Sequence, residues 1–326
     1  MKLIVTGACG YKGNVLVPKL LNAGHHVTAI DIMWFGNDLQ PHPNLEVRQF
    51  DIRDPEDLEL TGYDAIIHLS SVANDPCGDL DPKLTWEVSC LATMRLADKA
   101  VRQGVKRFIY ASSGSVYGLK DEEHVTEDLE LVPLSEYNKT KMVAERVLLS
   151  YAAQMTVQIV RPATDCGLSP RMRLDVAVNM LAMQALTKGA ITVLGGDQTR
   201  PNIHIDDITD LYVNLLTLPV EKIAGETFNA GYQNHSVAEI AQMVKMVVEE
   251  EMPERAPISI ETQPTDDIRS YHITSRKIAE KIGFIPARSI EDAVRDLCKA
   301  FKNGQLPDSM EDDQYFNVKT VMGADI

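Results

Sequence analysis

Short, uninterrupted apolar runs separated by helical stretches fill the first half of the chain, and they restrict its fold more than any other feature. Leu3-Ile4-Val5 reads as a buried strand, and helical spacing follows from Tyr11 to Asn22. Val27 to Ile30, Leu45 to Phe50 and Ala65 to Leu69 read as further strands. A helix from about Leu84 to Gln103 leads into Arg107–Ala111, and another from about Ser135 to Ala153 leads into Val157–Val160. A strand apolar on both faces belongs in a sheet covered on both sides, and helices between such strands make that sheet parallel. Right-handed crossovers then predict an α/β fold with a doubly wound parallel sheet.

The texture changes after Pro162. Short strands at Ile191–Leu194, Asn202–Ile205, Thr227–Asn229 and Ile258–Ile260 mix with helices at Asp206–Leu216, Val237–Glu250, Ser275–Ile282 and Ile290–Lys302. This pattern predicts a first domain over 1–165 and a smaller mixed α/β lobe over 166–304, with segments around 191–235 partly returning to the first domain. The polar, acidic stretch 305–326 reads as a loosely docked tail.

Charge and cysteine usage narrow the function classes. Lys plus Arg number 32 against 47 Asp plus Glu, a net charge of −15. Such a surface repels phosphate backbones, so nucleic acid is not an expected partner. No run approaches the ~18 apolar residues that a membrane span needs. The opening MKLIVTG has too short an apolar core for a secretory signal. Five scattered cysteines without a CxxC pair argue for free thiols, a reducing compartment and no structural zinc. A cytoplasmic setting is therefore expected.

Thr6-Gly7-Ala8-Cys9-Gly10-Tyr11-Lys12-Gly13 stands between the first strand and the first helix. Glycines there let the backbone approach a pyrophosphate, and the helix N-terminus behind them offers unpaired N–H groups to an anion. Asp31 ends the second strand, where a carboxylate accepts hydrogen bonds from a ribose diol. It would repel a 2′-phosphate, and Ile32-Met33-Trp34 brings no arginine, so the pattern favours NAD over NADP. Asp51-Ile52 closes the third strand as an adenine contact, or as a strand-end carboxylate starting a turn with Arg53.

Tyr137 and Lys141 are four apart near the start of a helix and so share one face. A phenol with a pKa near ~10 is a poor base at neutral pH, and a neighbouring ammonium would lower it. Upstream, Tyr110 to Gly118 reads as a strand running into a hydroxyl-rich turn at the sheet's C-terminal edge. A hydroxyl there can bind the same oxygen that Tyr137 deprotonates.

In this order and spacing, the glycine turn, Asp31, the Ser-Ser-Gly-Ser-Val-Tyr-Gly turn and YxxxK resemble the extended short-chain dehydrogenase/reductase family, and more narrowly its NAD-dependent nucleotide-sugar epimerases. The resemblance runs on through His68-Leu69-Ser70-Ser71, Arg161-Pro162, Gly195–Asp207 and Phe228-Asn229-Ala230-Gly231. It implies a Rossmann-type fold, Ser113, Tyr137 and Lys141 as the catalytic set, and cofactor contacts from Gly7, Gly10, Tyr11, Gly13, Asp31, Asp51, Ile52, Leu69 and Ser70. It also implies a homodimer built on the two long helices.

Three departures qualify the resemblance. The acidic pair of the family's 4,6-dehydratases is replaced by Gly114 and Ser115, which leaves dehydration without its acid and base. Ser89 stands where relatives carry an asparagine, and Thr164-Asp165-Cys166-Gly167 replaces their Asn-x-Tyr-Gly beside the nicotinamide. Substrate contacts are expected from Ser115, Thr164, Asn179, Arg200 and Arg269, with Ser169–Arg173 looping over a nucleotide diphosphate. Either arginine also reads as a solvated surface side chain. His204 with Asp206 and Asp207 suggests metal ligands, but Asp206-Asp207 begins a helix and its carboxylates read as caps for free N–H groups; His68 reads as a strand-end histidine with a satisfied hydrogen bond. The expected activity is epimerisation of a nucleotide-diphosphate sugar through a 4-keto intermediate. A 4-ketoreductase or dehydrogenase of the same family is the alternative.

Overall fold

The computed structural model describes residues 1–120, 122, 124–265 and 270–323. Its first half alternates β1 (Lys2–Thr6), α1 (Gly13–Asn22), β2 (His26–Asp31), β3 (Leu45–Gln49), β4 (Ala65–His68), α2 (Asp75–Leu80), α3 (Pro82–Trp86), α4 (Ala92–Arg102), β5 (Arg107–Ala111), α5 (Glu136–Ser150) and β6 (Thr156–Pro162). The second half holds β7 (Thr164–Cys166), α6 (Ala177–Lys188), β8 (Ala190–Leu194), β9 (Thr199–His204), α7 (Ile205–Thr217), α8 (Val220–Ile223), β10 (Glu226–Ala230), β11 (Gln233–Ser236), α9 (Val237–Glu251), β12 (Ser259–Gln263), α10 (Arg276–Ile282), α11 (Ile290–Lys302) and α12 (Asn317–Gly323).

Seven strands form one sheet in the order β10-β6-β5-β4-β1-β2-β3. Every pairing in it is parallel. Leu3, Ile4, Val5, Ile66, Ile67, Phe108 and Ile109 are fully buried, as strands covered on both faces require. The chain order reverses beside β1, so the C-terminal ends of β1 and β4 open a crevice where such folds bind ligands. β10 joins the large sheet beside β6 and carries Asn229 to its core. The remaining strands form two small sheets, β11-β9-β7 and β12-β8.

Two local expectations change. The helix expected over Leu84–Gln103 contains a π-helical turn at Glu87–Leu91 between α3 and α4. Ser89 is buried inside that turn, and its hydroxyl accepts the N–H of Val72 (3.1 Å). Residues 307–323 are not loosely docked. Tyr315 accepts the N–H of Leu174 (2.9 Å), and Val321 packs with Val72, Cys77 and Leu84. Their apolar side chains were too sparse in sequence to reveal the groove they fill. All five cysteines are free and buried, and no helix among the described residues is long and apolar enough to cross a membrane.

Candidate active site

The glycine turn is shaped by contacts that leave no room for side chains. Gly7 has φ +67°, and a Cβ on it would lie 2.7 Å from the Ser70 nitrogen. A Cβ on Gly13 would lie 2.3 Å from the Ala8 carbonyl oxygen, so α1 starts hard against the turn. Asp31 fixes the opposite wall: its carboxylate accepts the N–H groups of Cys9 (2.9 Å) and Met33 (2.7 Å). Burial raises the pKa of that carboxyl, against the pull of those two hydrogen bonds and of Arg171.

Gly7, Gly10, Tyr11, Asp31, Asp51, Ile52, Leu69 and Ser70 line one elongated cavity along the sheet edge, with Tyr137 and Lys141 at its inner end. Gly13 stands behind the turn. Asp51 faces the cavity and also begins the turn, accepting the N–H (2.9 Å) and Nε (2.8 Å) of Arg53.

Beyond β5, Ser112 and Ser113 precede a tight turn over Gly114–Tyr117. Ser112 donates to Glu145, which also receives Arg161 Nε (3.0 Å) and Nη2 (2.6 Å). Arg161 Nη1 donates to the Tyr117 hydroxyl (2.7 Å), which donates to Asn229 (2.8 Å). This buried network holds the hydroxyl-rich turn against β6 and β10, and it joins the Arg161-Pro162 and Phe228–Gly231 stretches singled out in sequence.

Ser135 caps α5 by accepting the N–H of Asn138 (3.2 Å), which places Tyr137 in the first helical turn and Lys141 one turn later. Tyr137 and Ser113 line the same cavity. Lys141 Nζ donates to the Ala111 carbonyl (2.7 Å) and lies 5.7 Å from the centre of the Tyr137 ring. The expected acidification of the phenol is not supplied by this arrangement. Burial and the charge of Asp75 push the Tyr137 hydroxyl well above its ordinary value, with Ser113 and Arg173 opposing. Burial, aided by Lys12, brings the Lys141 amine down to about 7. An amine that sheds its own charge on burial has little left with which to stabilise a phenolate.

A second cavity opens on the far side of Tyr137. Ser113, Ser115, Thr164 and Arg200 line it, together with Asn74, Asp75, Arg173, Asp175 and Tyr271. Asn179 does not. It is buried, accepts the N–H of Gly167 (2.9 Å), and donates to the Tyr11 hydroxyl (3.0 Å) and the Arg173 carbonyl (2.9 Å). Its place is to hold the Arg173 loop. Arg269 lies outside the described residues.

Other residues of the site were named from sequence only as members of a stretch, or not at all. Arg173 lines both cavities and pairs with Asp175 (2.5 Å). Arg171 is 5% exposed, lies 3.7 Å over the Phe35 ring and donates to Asn317 (2.6 Å). Lys12 pairs with Asp165 (3.0 Å) between the cavities. Both arginines lie in the Ser169–Arg173 stretch expected to loop over a nucleotide diphosphate. Asn74 and Asp75 had no signal in sequence, because only the packing of α2 on α5 brings them here. Asn74 has φ +79°, a strained backbone for a residue with a Cβ.

The two histidine readings end differently. His68 is buried between Thr6 (2.6 Å) and Thr93 (2.9 Å), and burial drives its pKa down to about 3. At α7 the cap is the His204 ring, which accepts the N–H of Asp206 (3.1 Å). Asp207 instead binds the N–H groups of Ala287 (2.9 Å) and Arg288 (2.8 Å), and Asp206 pairs with Lys19 (2.8 Å). The carboxylates are recruited by cations and by a distant loop rather than by their own helix.

Sheet order, glycine turn and a carboxylate at the end of β2 define a dinucleotide-binding protein of the doubly wound class. A cradle closed to any Cβ at Gly7, and the start of α1 opening on the same cavity as Asp31, suit an extended dinucleotide. The chain belongs to the NAD dependent epimerase/dehydratase family, whose model matches residues 3–231. It is similar to UDP-glucuronic acid decarboxylase 1 of Danio rerio, at 27% identity over 92% of this chain and 72% of that protein. It is equally similar to UDP-glucose 4-epimerase of Mycolicibacterium smegmatis, at 27% identity over 93% of this chain and 99% of the other. Among solved structures, MoeE5 in complex with UDP-glucuronic acid and NAD superposes with a TM-score of 0.79 at 25% identity, over 93% of this chain and 100% of that one. NAD is the family's cofactor.

Proposed function

We propose that this chain epimerises a nucleotide-diphosphate sugar through a 4-keto intermediate, inverting C4. The observation that carries the reading is Tyr137 lining both cavities, with Ser113 beside it in the second and Lys141 one helical turn on in the first. Gly7 and Gly10 leave space for the cofactor's pyrophosphate against the start of α1, and Asp31 accepts from its ribose. NAD supplies a reversible hydride acceptor when bound. Tyr137, as the phenolate that a positive nicotinamide beside it would favour, takes the proton of the sugar 4-hydroxyl and later returns it, Ser113 holds that oxygen, and Lys141 would hold the nicotinamide ribose. Arg173 and Arg200 line the sugar-side cavity, where guanidinium groups suit a diphosphate. Gly114 and Ser115 place no acid pair beside the sugar, which favours epimerisation over 4,6-dehydration.

The test is incubation of NAD-loaded protein with UDP-, GDP-, CDP- and dTDP-sugars. Equilibration of one sugar with its 4-epimer at catalytic NAD, lost in Tyr137→Phe, is the expected result. Release of carbon dioxide, elimination of water, or stoichiometric turnover of NAD(H) would each replace this reading. The proposed setting is the cytoplasm and the proposed assembly a homodimer across α4 and α5; a monomer in sedimentation at micromolar concentration would refute the latter.

A further inference from the structure

Arg171 is a buried cation without a counter-charge. No carboxylate among the described residues forms an ion pair with it, and its Nε–H has no hydrogen-bond partner. Its contacts are with neutral groups: Nη2 donates to the Asn317 side-chain oxygen, and the guanidinium lies over the Phe35 ring. The two acidic side chains near enough to feel its charge are committed elsewhere. Asp31 accepts the N–H groups of Cys9 and Met33, and Asp175 accepts Arg173, Asn74 and the N–H of Asn317. A charge taken out of water is costly unless paired, and one aromatic face with one amide oxygen compensates it only in part. The place of that charge decides what it can meet. Arg171 lines the cavity of Gly7, Gly10, Asp31 and Phe35, and it does not line the sugar-side cavity. Its loop was expected over the diphosphate of a sugar nucleotide; the fold turns this arginine toward the dinucleotide instead.

We propose that Arg171 is a cofactor-binding residue whose unpartnered Nε–H takes a phosphate of the dinucleotide's pyrophosphate, the anion that completes its pairing. The glycine turn and the start of α1 offer that pyrophosphate backbone N–H groups, and Arg171 adds a charge-assisted bond from the loop between β7 and α6. Phe35 and Asn317 are positioning residues. Stacking on Phe35 fixes the plane of the guanidinium, and the bond to Asn317 occupies Nη2, so the Nε–H is the donor left to fill. Asp31 stands in the same cavity and would repel a ribose 2′-phosphate, which makes the pyrophosphate the anion that this site takes. Burial, with Arg173 adding to it, brings the Arg171 pKa down to about 10, so the side chain keeps its charge at neutral pH. The inference rests on NAD as the cofactor and not on the reaction proposed above.

The experiment is calorimetric titration of the full chain, freed of bound nucleotide and without sugar, with NAD, NADP, ADP and adenosine. Arg171→Met keeps apolar volume on Phe35 and removes the charge. NAD and ADP are each expected to bind roughly 10- to 100-fold more weakly, the worth of one hydrogen bond to a charged group, while adenosine changes by less than about threefold. In a thermal melt the nucleotide-free variant is expected to hold or exceed the parent's Tm, because an unpaired buried charge is gone, and the rise in Tm on adding NAD is expected to shrink. An arginine with a merely structural role would instead lower the Tm of the nucleotide-free variant and weaken adenosine as much as NAD. That pattern overturns the proposal, as do unchanged affinities for NAD and ADP, or a loss greater for NADP than for NAD, which would assign Arg171 to a 2′-phosphate. Arg171→Gln, which keeps a donor for Asn317, is read by the same criteria and decides where the methionine variant does not fold. Because no sugar is present, failure of the epimerase reading leaves this result interpretable.

Discussion

Gly78→Ala separates what helix propensity demands from what the packing of α2 allows. In a solvated helix the change stabilises by about 0.5–1 kcal/mol, because alanine has less backbone freedom to lose. Here the new Cβ would lie 2.8 Å from the Cβ of Tyr137 and 3.0 Å from its backbone nitrogen. Carbon contacts settle near about 3.5–4.0 Å, so α2 and the start of α5 must part by about 1 Å. Overpacking of that kind costs about 1–3 kcal/mol, which leaves a net loss of about 0.5–2 kcal/mol after the propensity gain. The larger effect falls on the chemistry, where a displacement of about 1 Å at a reacting group costs about 10²-fold in rate. Urea denaturation and initial rates of sugar interconversion, with NAD occupancy confirmed, measure the two effects on one preparation. A variant more stable than the parent with undiminished kcat would refute the reasoning, since α2 could not then press on the tyrosine.

Three other outcomes follow from the same contacts. Lys141 holds an amine pushed down to about 7 from 10.5, so between those pH values the unfolded chain binds a proton that the folded chain does not, and stability rises with pH. Lys141→Met should flatten that rise in a urea series from pH 7 to 10 and gain about 1 kcal/mol or more at pH 7 while sugar turnover collapses; an unchanged slope would show the amine is not the source. Glu145→Gln removes one partner of a buried pair with Arg161 and should cost about 3–5 kcal/mol in the same assay, whereas a loss under about 1 kcal/mol would mean the network relaxes around it. Asn317→Ala releases Arg171 beside the cofactor cavity and should weaken NAD binding about tenfold by calorimetry; unaltered affinity would show that the C-terminal segment does not shape the cavity.

Most of the scaffold was legible because its signals are local. Leu3-Ile4-Val5 and Phe108-Ile109 are apolar on both faces, and only a covered parallel sheet buries both faces at once. The turn at Gly7 reads directly as a backbone that tolerates no Cβ. Helical periodicity alone put Tyr137 and Lys141 on one face. The same periodicity could not show the π-helical turn at Glu87–Leu91, because an extra residue in one turn leaves the apolar pattern nearly unchanged.

Other features belong to the tertiary structure, since they depend on groups far apart in the chain. Asp75 and Asn138 are 63 residues apart, and Arg171 and Asn317 are 146 apart. No spacing rule reaches across such distances, so the bonding of α2 to α5 and the docking of the C-terminal segment appear only when helices and loops pack. Ionisation belongs to the same class. A tyrosine beside a lysine suggests an acidified phenol, but the sign of the shift depends on how much water the fold removes from each group. Here burial outweighs the neighbouring charge, raising the phenol and lowering the amine. Residue order determined which side chains could meet; packing decided which of them met, and in which protonation state.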